Sequence, residues 1–214
     1  MCIRDSVQGW LDLGFDAYGC DFKFKTGPGV EALEQSGRIT LIALAPYRLP
    51  YPDDNFDILV TNQVMEHVRD YPATLAEMKR VLKPGGYALH IFPARLMPME
   101  PHTYVPLATV LRHRAWLATW ARLGIRTARQ SGMTWQEVAR RNRDYLAANT
   151  NYLNGGDIAR QFAAHFDDVR YVEKSFLTHS PNRRGQVLSR LGGAFPPLFA
   201  LYRNFWSRVI LARA

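Results

Sequence analysis

Apolar residues in this chain form short runs of strand length that alternate with stretches of helical periodicity. Strand-length runs lie at 17–22, 39–44, 57–61 and 86–93. Between the third and fourth runs, residues 68–82 carry one apolar helical face made of Leu75, Met78, Val81 and Leu82. Pro84-Gly85-Gly86 is then expected to act as a stop before the next strand. Strands alternating with helices predict an α/β fold with a doubly wound, parallel sheet.

The pattern changes after Pro93. Residues 98–150 are rich in arginine and aromatic residues with helical spacing, and they are too long for a plain loop, so we expect a helical insertion or cap beside the ligand crevice. Asn154 is expected to cap a helix over 158–165, followed by a strand at 169–173 and a last strand from Trp206. With 214 residues, the chain is expected to form a single domain over 1–214.

Composition narrows the class of protein. Hydrophobic residues make up 47% and charged residues 21%, as in ordinary globular proteins. Cys2 and Cys20 provide neither a disulfide framework nor the spacing of a metal site, which favours a cytoplasmic setting. No apolar run reaches the length of a membrane span, and residues 1–6 lack the apolar core of a secretory signal.

The net charge of the chain indicates which kind of partner it could bind. The formal net charge of +8 favours an anionic partner such as nucleic acid, an acidic lipid surface or a phosphorylated substrate. A solvated basic surface without a dedicated partner explains the same charge.

The segment 49–86 carries the most specific motifs. It reads Leu-Pro-Tyr-Pro-Asp-Asp-Asn-Phe-Asp from Leu49, then Glu66-His67, then Glu77-x-x-Arg80-Val-Leu-Lys-Pro-Gly-Gly. This order resembles class I S-adenosylmethionine (SAM) dependent methyltransferases of the branch LPFPD-x-x-FD … EH … E-x-x-RVLKPGG. The resemblance covers about the middle third of the chain and implies a Rossmann-like sheet with SAM as cofactor.

Ligands of doubly wound sheets bind at the carboxyl ends of the strands. Those ends carry Asp21-Phe22, Ala45-Pro46 and Asn62-Gln63. The resemblance implies that Asp21 holds the ribose, that Ala45-Pro46 lie by the adenine, and that Asn62-Gln63 lie near the methionine end. The family usually has Asp where this chain has Ala45, and losing that hydrogen bond weakens binding by about 1 to 3 kcal/mol.

The glycine-rich first motif of the family has no clear counterpart. Residues 11–16 contain Gly14 without a second glycine, and too few residues separate them from Leu49. The better alignment equates 14–21 with the family pattern G-x-x-V-x-G-x-D. We therefore expect an N-terminally truncated sheet that lacks its first strand and glycine loop, with residues 1–6 not native. A degenerate, non-catalytic homologue that acts by binding is the alternative.

Methyl transfer to a hydroxyl needs an oriented and deprotonated acceptor, and histidine is the usual base. His67 and His102 are the candidates, although Glu66-His67 could instead be structural at a helix start and His102 could stiffen the insertion. His90, inside an apolar strand, is expected to be a satisfied core histidine.

The sequence predicts no metal site. Quinone-precursor O-methyltransferases resemble this region and bind a divalent cation with the help of a further Glu, three residues before the Glu-His pair. Gln63 stands at that position, and a neutral amide is a weaker ligand for a hard cation. Asp53 and Asp54 are expected to be turn residues.

Arginine and tryptophan between Arg112 and Arg143 allow three interpretations. They could stack on nucleic acid, lie on a membrane surface beside a lipid-linked acceptor, or pack onto the core. No RNA-binding signature accompanies them, so a nucleic-acid partner is less favoured. The leading hypothesis is SAM-dependent methyl transfer, with O-methylation favoured, to a small-molecule or lipid-linked acceptor. An RNA methyltransferase and a non-catalytic binding protein are the alternatives.

Overall fold

The computed structural model describes residues 3–23, 27–43 and 47–214. Its strands are β1 Gly19–Asp21, β2 Ile39–Leu41, β3 Phe56–Asn62, β4 Leu82–Pro93, β5 Asp168–Tyr171 and β6 Ser207–Arg213. Its helices are α1 Ile3–Asp12, α2 Pro28–Gln35, α3 Tyr71–Val81, α4 Arg114–Arg122, α5 Trp135–Asn149, α6 Gly155–Ala163, α7 Glu173–Thr178, α8 Arg183–Ala194 and α9 Pro197–Phe205. Short 3-10 turns occur at Met65–His67 and Ala128–Gln130.

The described strands form two sheets. β1 pairs in parallel with β2, while the second sheet has the order β3-β4-β6-β5. β3 and β4 are parallel, but β6 runs antiparallel to both of its neighbours, so the sheet is mixed where the sequence predicted a parallel one. Among the described strands, β1 pairs only with β2 and β3 only with β4.

The sequence located most elements but misplaced several boundaries. The expected strand 169–173 ends at Tyr171, and Glu173 begins α7 instead. Asn154 caps α6 as expected, accepting a hydrogen bond from the Asp157 backbone N–H at 2.9 Å. Helices α7, α8 and α9 were not predicted, although apolar residues at helical spacing run through α8 and α9.

Pro84-Gly85-Gly86 is not a stop between helix and strand. β4 begins at Leu82, directly after α3, and the register against β3 shifts between Phe56 and Ile58 to accommodate these residues as a bulge. Gly85 has a φ of 79°, a conformation that glycine adopts without strain. A Cβ on Gly86 would lie 2.9 Å from the Lys83 carbonyl oxygen and 3.1 Å from that of Asp57. The glycines therefore allow β4 to pass close to β3.

The main core lies between the four-stranded sheet and helices α3 and α6. Its fully buried members include Leu75 and Val81 of α3, Phe162 of α6 and Ile210 of β6. His90 of β4 lies in the same layer with its ring 5.0 Å from that of Phe162. It is fully buried, and its Nδ1 is 2.8 Å from the Thr61 Oγ1.

A network around Arg80 attaches the segment before β3 to α3. The Arg80 guanidinium donates to the carbonyl oxygens of Leu49 and Tyr51 and to the carboxylates of Asp53 and Glu77. Glu77 in turn accepts from the Leu49 backbone N–H at 3.0 Å. The planar fork of arginine can serve several acceptors at once, so this network explains why the Leu49 segment and the Glu77-x-x-Arg80 motif occur together. Asp53 and Asp54 lie in a turn, as predicted.

The region 98–150 contains α4 and α5, while residues 98–113 are not helical. Its apolar side chains pack together as a separate cluster, in which Leu117 and Leu146 are fully buried and Trp116 and Trp120 partly so. Arg122 lies over the Trp135 ring at 3.8 Å. Packing within the protein therefore accounts for much of this aromatic and basic sequence. Among the described residues, none of the helices has the length and apolar character needed to cross a bilayer.

Replacing Gly86 with alanine is expected to destabilise the protein by about 2 kcal/mol or more, because two backbone carbonyls leave no space for a methyl group. Gly193→Ala in α8 is the matched control, since nothing lies within 4 Å of its added Cβ. Urea denaturation of both variants measures the difference. Equal midpoints for the two variants would contradict the close approach of β4 to β3.

His90 is expected to make stability depend on pH. Burial lowers the pKa of His90 to about 3, so below pH 6.5 the unfolded chain binds a proton that the folded protein does not. Stability should then fall by about 1.4 kcal/mol per pH unit as the pH drops from 6.5 toward 5. Denaturation curves of His90→Gln should show a shallower slope over that range, whereas the exposed control His179→Gln should keep the wild-type slope.

Candidate active site

Asp21 ends β1 and its side chain is exposed. The Asp21 Oδ1 accepts a hydrogen bond from the Phe22 backbone N–H at 2.7 Å. Among the described residues, Oδ2 has no hydrogen-bond partner, so it can accept from a ligand.

Phe22, the next expected cofactor residue, is 41% exposed. Its ring lies 6.2 Å from that of Tyr47 with a tilt of 50°. The pair offers an apolar surface beside the Asp21 carboxylate. Ala45 and Pro46, expected beside the adenine, lie outside the described residues.

Asn62 and Gln63 follow one another at the carboxyl end of β3. Gln63 has a φ of 58°, a conformation that costs a residue with a side chain about 1 kcal/mol. Its backbone N–H is tied to the Ile91 carbonyl at 2.8 Å. Strained backbone of this kind is common at binding sites. The roles expected for Asn62 and Gln63 stay predictions.

A cavity of about 310 Å³ borders this strand end. Its lining residues are Asn62, Gln63, Ile91, Pro93, Met97, Pro101, Phe176, Tyr202, Trp206 and Ser207. Most of these side chains are apolar or aromatic, and the polar ones come mainly from β3 and β6. The cavity therefore suits a small, largely apolar molecule that meets a polar edge at Asn62 and Gln63.

The two histidines expected as bases lie together. Their ring centroids are 4.9 Å apart, with the rings inclined at 69°. The His67 Nδ1 is 2.5 Å from the Asn149 carbonyl oxygen, so the turn Met65–His67 is bound to the end of α5. Burial lowers the pKa of His67, which favours its neutral form at pH 7.

His102 is held by a buried carboxylate. The Glu100 side chain is fully buried, and its Oε1 lies 2.7 Å from the His102 Nδ1 and 2.8 Å from the Tyr152 hydroxyl. Its Oε2 accepts from the His102 and Thr103 backbone N–H groups and from the Thr103 hydroxyl. Burial alone raises the pKa of Glu100, but these hydrogen bonds keep it below its ordinary value. Glu100 therefore fixes the His102 ring and leaves Nε2 for chemistry.

Glu66 is the second buried carboxylate here and has the opposite character. Both of its oxygens are buried without a hydrogen-bond partner among the described residues, and the nearest imidazole nitrogen, His67 Nε2, is 3.9 Å from Oε1. Burial raises the pKa of Glu66 to about 7. A carboxylate without partners in such a place is costly and calls for a functional explanation.

The structure brings His67 and His102 together with Glu66 and Glu100, but the sequence analysis missed the two carboxylates as site residues. The sequence analysis named Glu66 only within the Glu66-His67 motif and did not consider Glu100. The partner Tyr152 comes from beyond α5, and no local pattern in the sequence points to it. His90 is in the core as predicted, although its Nε2 has no partner among the described residues.

The fold and one family model agree on the class of protein. Over 99% of this chain and 82% of the other, the fold matches a SAM dependent methyltransferase from Archaeoglobus fulgidus with a TM-score of 0.51 at 12% identity. One from Mesorhizobium loti gives 0.50 at 14% identity, covering 97% of this chain and 85% of that one. Residues 5–90 match the family model described as a methyltransferase domain. Residues 5–90 therefore carry a methyltransferase domain, within a chain whose fold is that of SAM-dependent methyltransferases.

Curated relatives of this methyltransferase match over shorter stretches. An uncharacterized methyltransferase of Schizosaccharomyces pombe is 58% identical over 41 residues, which is 19% of this chain and 15% of that protein. A demethylmenaquinone methyltransferase of Geobacillus kaustophilus is 36% identical over 74 residues, or 33% of this chain and 32% of that protein. The aligned part of this chain thus spans a third or less of these two relatives.

The described residues of this methyltransferase fit the nucleoside part of SAM. Asp21 offers an exposed acceptor at the end of a parallel strand, where two ribose hydroxyls can donate to it. Phe22 and Tyr47 supply apolar surface next to it. The Rossmann-like fold implied by the resemblance is confirmed.

Tyr152→Phe is expected to destabilise the protein by about 1.5 to 3 kcal/mol, because it removes a hydrogen bond to a buried, charged carboxylate. Tyr104→Phe is the control, since that side chain is 52% exposed. Thermal and urea denaturation at pH 7 compare the two variants. A Tyr152→Phe protein as stable as Tyr104→Phe would show that Glu100 does not depend on this contact.

Proposed function

We propose that this protein transfers a methyl group from SAM to a small apolar or lipid-linked acceptor, with a hydroxyl oxygen as the favoured acceptor atom. The observation that carries the proposal is that His67 and His102 lie together at the turn that follows β3, while the exposed carboxylate of Asp21 ends β1. When bound, SAM supplies an electrophilic methyl group on a sulfonium sulfur.

The cofactor-binding roles follow from position. Asp21 accepts hydrogen bonds from the ribose hydroxyls, and Phe22 covers an apolar part of the nucleoside. Ala45-Pro46 lie by the adenine, a role carried over from the resemblance. Asn62 and Gln63 contact the methionine part through the backbone that the positive φ of Gln63 exposes.

The cavity beside Asn62 and Gln63 receives the acceptor. Its volume of about 310 Å³ and its aromatic wall, which includes Phe176, Tyr202 and Trp206, suit a ring or a short prenyl segment. Pro101 lies in the same wall, directly before His102. His102 thus follows a residue that lines the cavity, and we propose that an acceptor bound there reaches the His102 imidazole.

His102 is proposed to take the acceptor proton. Its Nδ1 is held by the buried carboxylate of Glu100, which fixes the tautomer and stabilises the imidazolium that forms, while Nε2 accepts the proton. His67, whose neutral form burial favours, packs against the His102 ring and is proposed to position it.

The lipid-linked option has support from the helices that follow the cavity wall. Leu191, Phe195, Leu201, Phe205 and Trp206 expose between 43% and 59% of their surface. Trp206 and its neighbour Tyr202 also line the cavity, so an acceptor with a long apolar tail can leave along this surface. A peripheral contact with a membrane follows as part of the same proposal.

Cofactor binding is tested by titrating SAM into the protein in a calorimeter. Asp21→Asn is expected to weaken binding by roughly 10-fold or more, because hydrogen bonds to a charged acceptor are lost. Asp167→Asn, an exposed carboxylate at the start of β5, should bind as wild type does. SAM binding that Asp21→Asn leaves unchanged would remove the ribose role of Asp21.

Transfer is tested with methyl-labelled SAM and a panel of hydroxylated aromatic and prenylated acceptors, alongside RNA and anionic vesicles across a salt series. His102→Gln should lower the rate at least 100-fold. Label found in RNA, or a steep salt dependence of RNA binding without vesicle binding, would contradict the proposed acceptor class.

A further inference from the structure

Three groups that commonly bind metal ions converge outside the expected cofactor contacts. Glu66, His67 and His102 each present one ligand atom, and these atoms all lie within 4.8 Å of one another. Glu66 and His67 come from the turn after β3, whereas His102 comes from the non-helical segment before α4. The expectation of no metal site was based on Gln63, which is not one of these three donors.

The histidines are oriented as metal ligands usually are. Each ring uses Nδ1 for a hydrogen bond, His67 to the Asn149 carbonyl and His102 to the Glu100 carboxylate. A metal-bound histidine typically holds its second nitrogen in this way, which fixes the tautomer and aims Nε2 at the ion. The Glu100–His102 pair has the carboxylate–histidine arrangement that raises the basicity of a ligand.

Glu66 is the independent observation that points to a ligand. Its side chain has no exposed surface, yet both oxygens lack a hydrogen-bond partner among the described residues. A cation at the imidazole pair would give this carboxylate the partner that it lacks. The His102 side chain is 24% exposed and the His67 side chain 35% exposed. An ion can therefore reach the histidines from solvent, although Glu66 is buried.

We infer that Glu66, His67 and His102 form a binding site for a divalent first-row transition ion such as Zn²⁺, through one carboxylate oxygen and two Nε2 atoms. Imidazole nitrogen with a single carboxylate suits these ions better than Mg²⁺ or Ca²⁺, which prefer oxygen. Metal–ligand distances near 2.1 Å require the donors to draw together by roughly 1 Å, which ring and carboxylate rotation can supply.

The site has a consequence for the proposed base. The His102 Nε2 cannot hold a cation and accept a proton at the same time. A cation bound here is therefore expected to suppress proton transfer through His102. The binding itself does not depend on the methyltransferase proposal, because neither SAM nor an acceptor takes part in it.

The test titrates Zn²⁺ into chelator-treated full-length protein by calorimetry, with Co²⁺ absorption as the readout of ligand geometry and no SAM present. Wild-type protein should bind one equivalent at this site, with a cobalt spectrum of a low-coordinate nitrogen and oxygen site. Glu66→Gln and His102→Gln should each weaken binding at least 10-fold. Circular dichroism identifies a variant that does not fold, and the other variant then still tests the site.

Matched controls separate this site from other donors. Cys20→Ser removes the described thiol and His179→Gln an exposed imidazole, and both should bind as wild type does. Glu100→Gln should weaken binding 10-fold to 100-fold through the lost support of His102. Wild-type protein that binds no Zn²⁺, or variants at Glu66 and His102 that bind it unchanged, would overturn the inference. Either result leaves SAM binding and methyl transfer to be judged by their own assays.

Discussion

The Arg80 guanidinium is the contact on which the candidate site depends most. It gathers two backbone carbonyls of the Leu49 segment and two carboxylates, one of them on its own helix. This network fixes where β3 starts, because the Asp54 and Asn55 backbone N–H groups then bond to the carbonyls of Arg80 and Val81. The position of β3 in turn fixes Asn62, Gln63 and the Glu66-His67 turn that follow it.

Two buried carboxylates within this site have opposite environments. Glu100 is surrounded by donors from its own loop and from Tyr152, so burial does not prevent it from carrying a charge. Glu66 has comparable burial without donors, and burial raises its pKa. The number of available hydrogen-bond donors, more than depth, decides which of the two is stable as an anion. That difference underlies both the support of His102 and the inferred cation site.

The sequence predicted those features that depend on residues close together in the chain. The spacing of Glu77 and Arg80 on one helix, and of Leu49 and Asp53 in one loop, encodes a single network locally. These motifs carried the resemblance, which the methyltransferase-domain match over residues 5–90 supports. Apolar periodicity also located β3, β4, α3 and α6. The sequence-based prediction was wrong at Pro84-Gly85-Gly86. A glycine pair at a strand bulge has the same local sequence as one that ends a helix, and only the neighbouring strand distinguishes the two.

The sequence by itself determined the strand ends that carry Asp21 and Gln63, since strand length and polar termini are readable over a few residues. Only the tertiary structure decided which side chains share a site. His67 and His102 lie 35 positions apart in the sequence, and Tyr152 reaches Glu100 across 52 positions. Likewise, the antiparallel direction of β6 and the isolation of Glu66 follow from long-range packing. Contacts of this kind depend on how helices, strands and loops pack against one another, and the local periodicity of the sequence does not predict them.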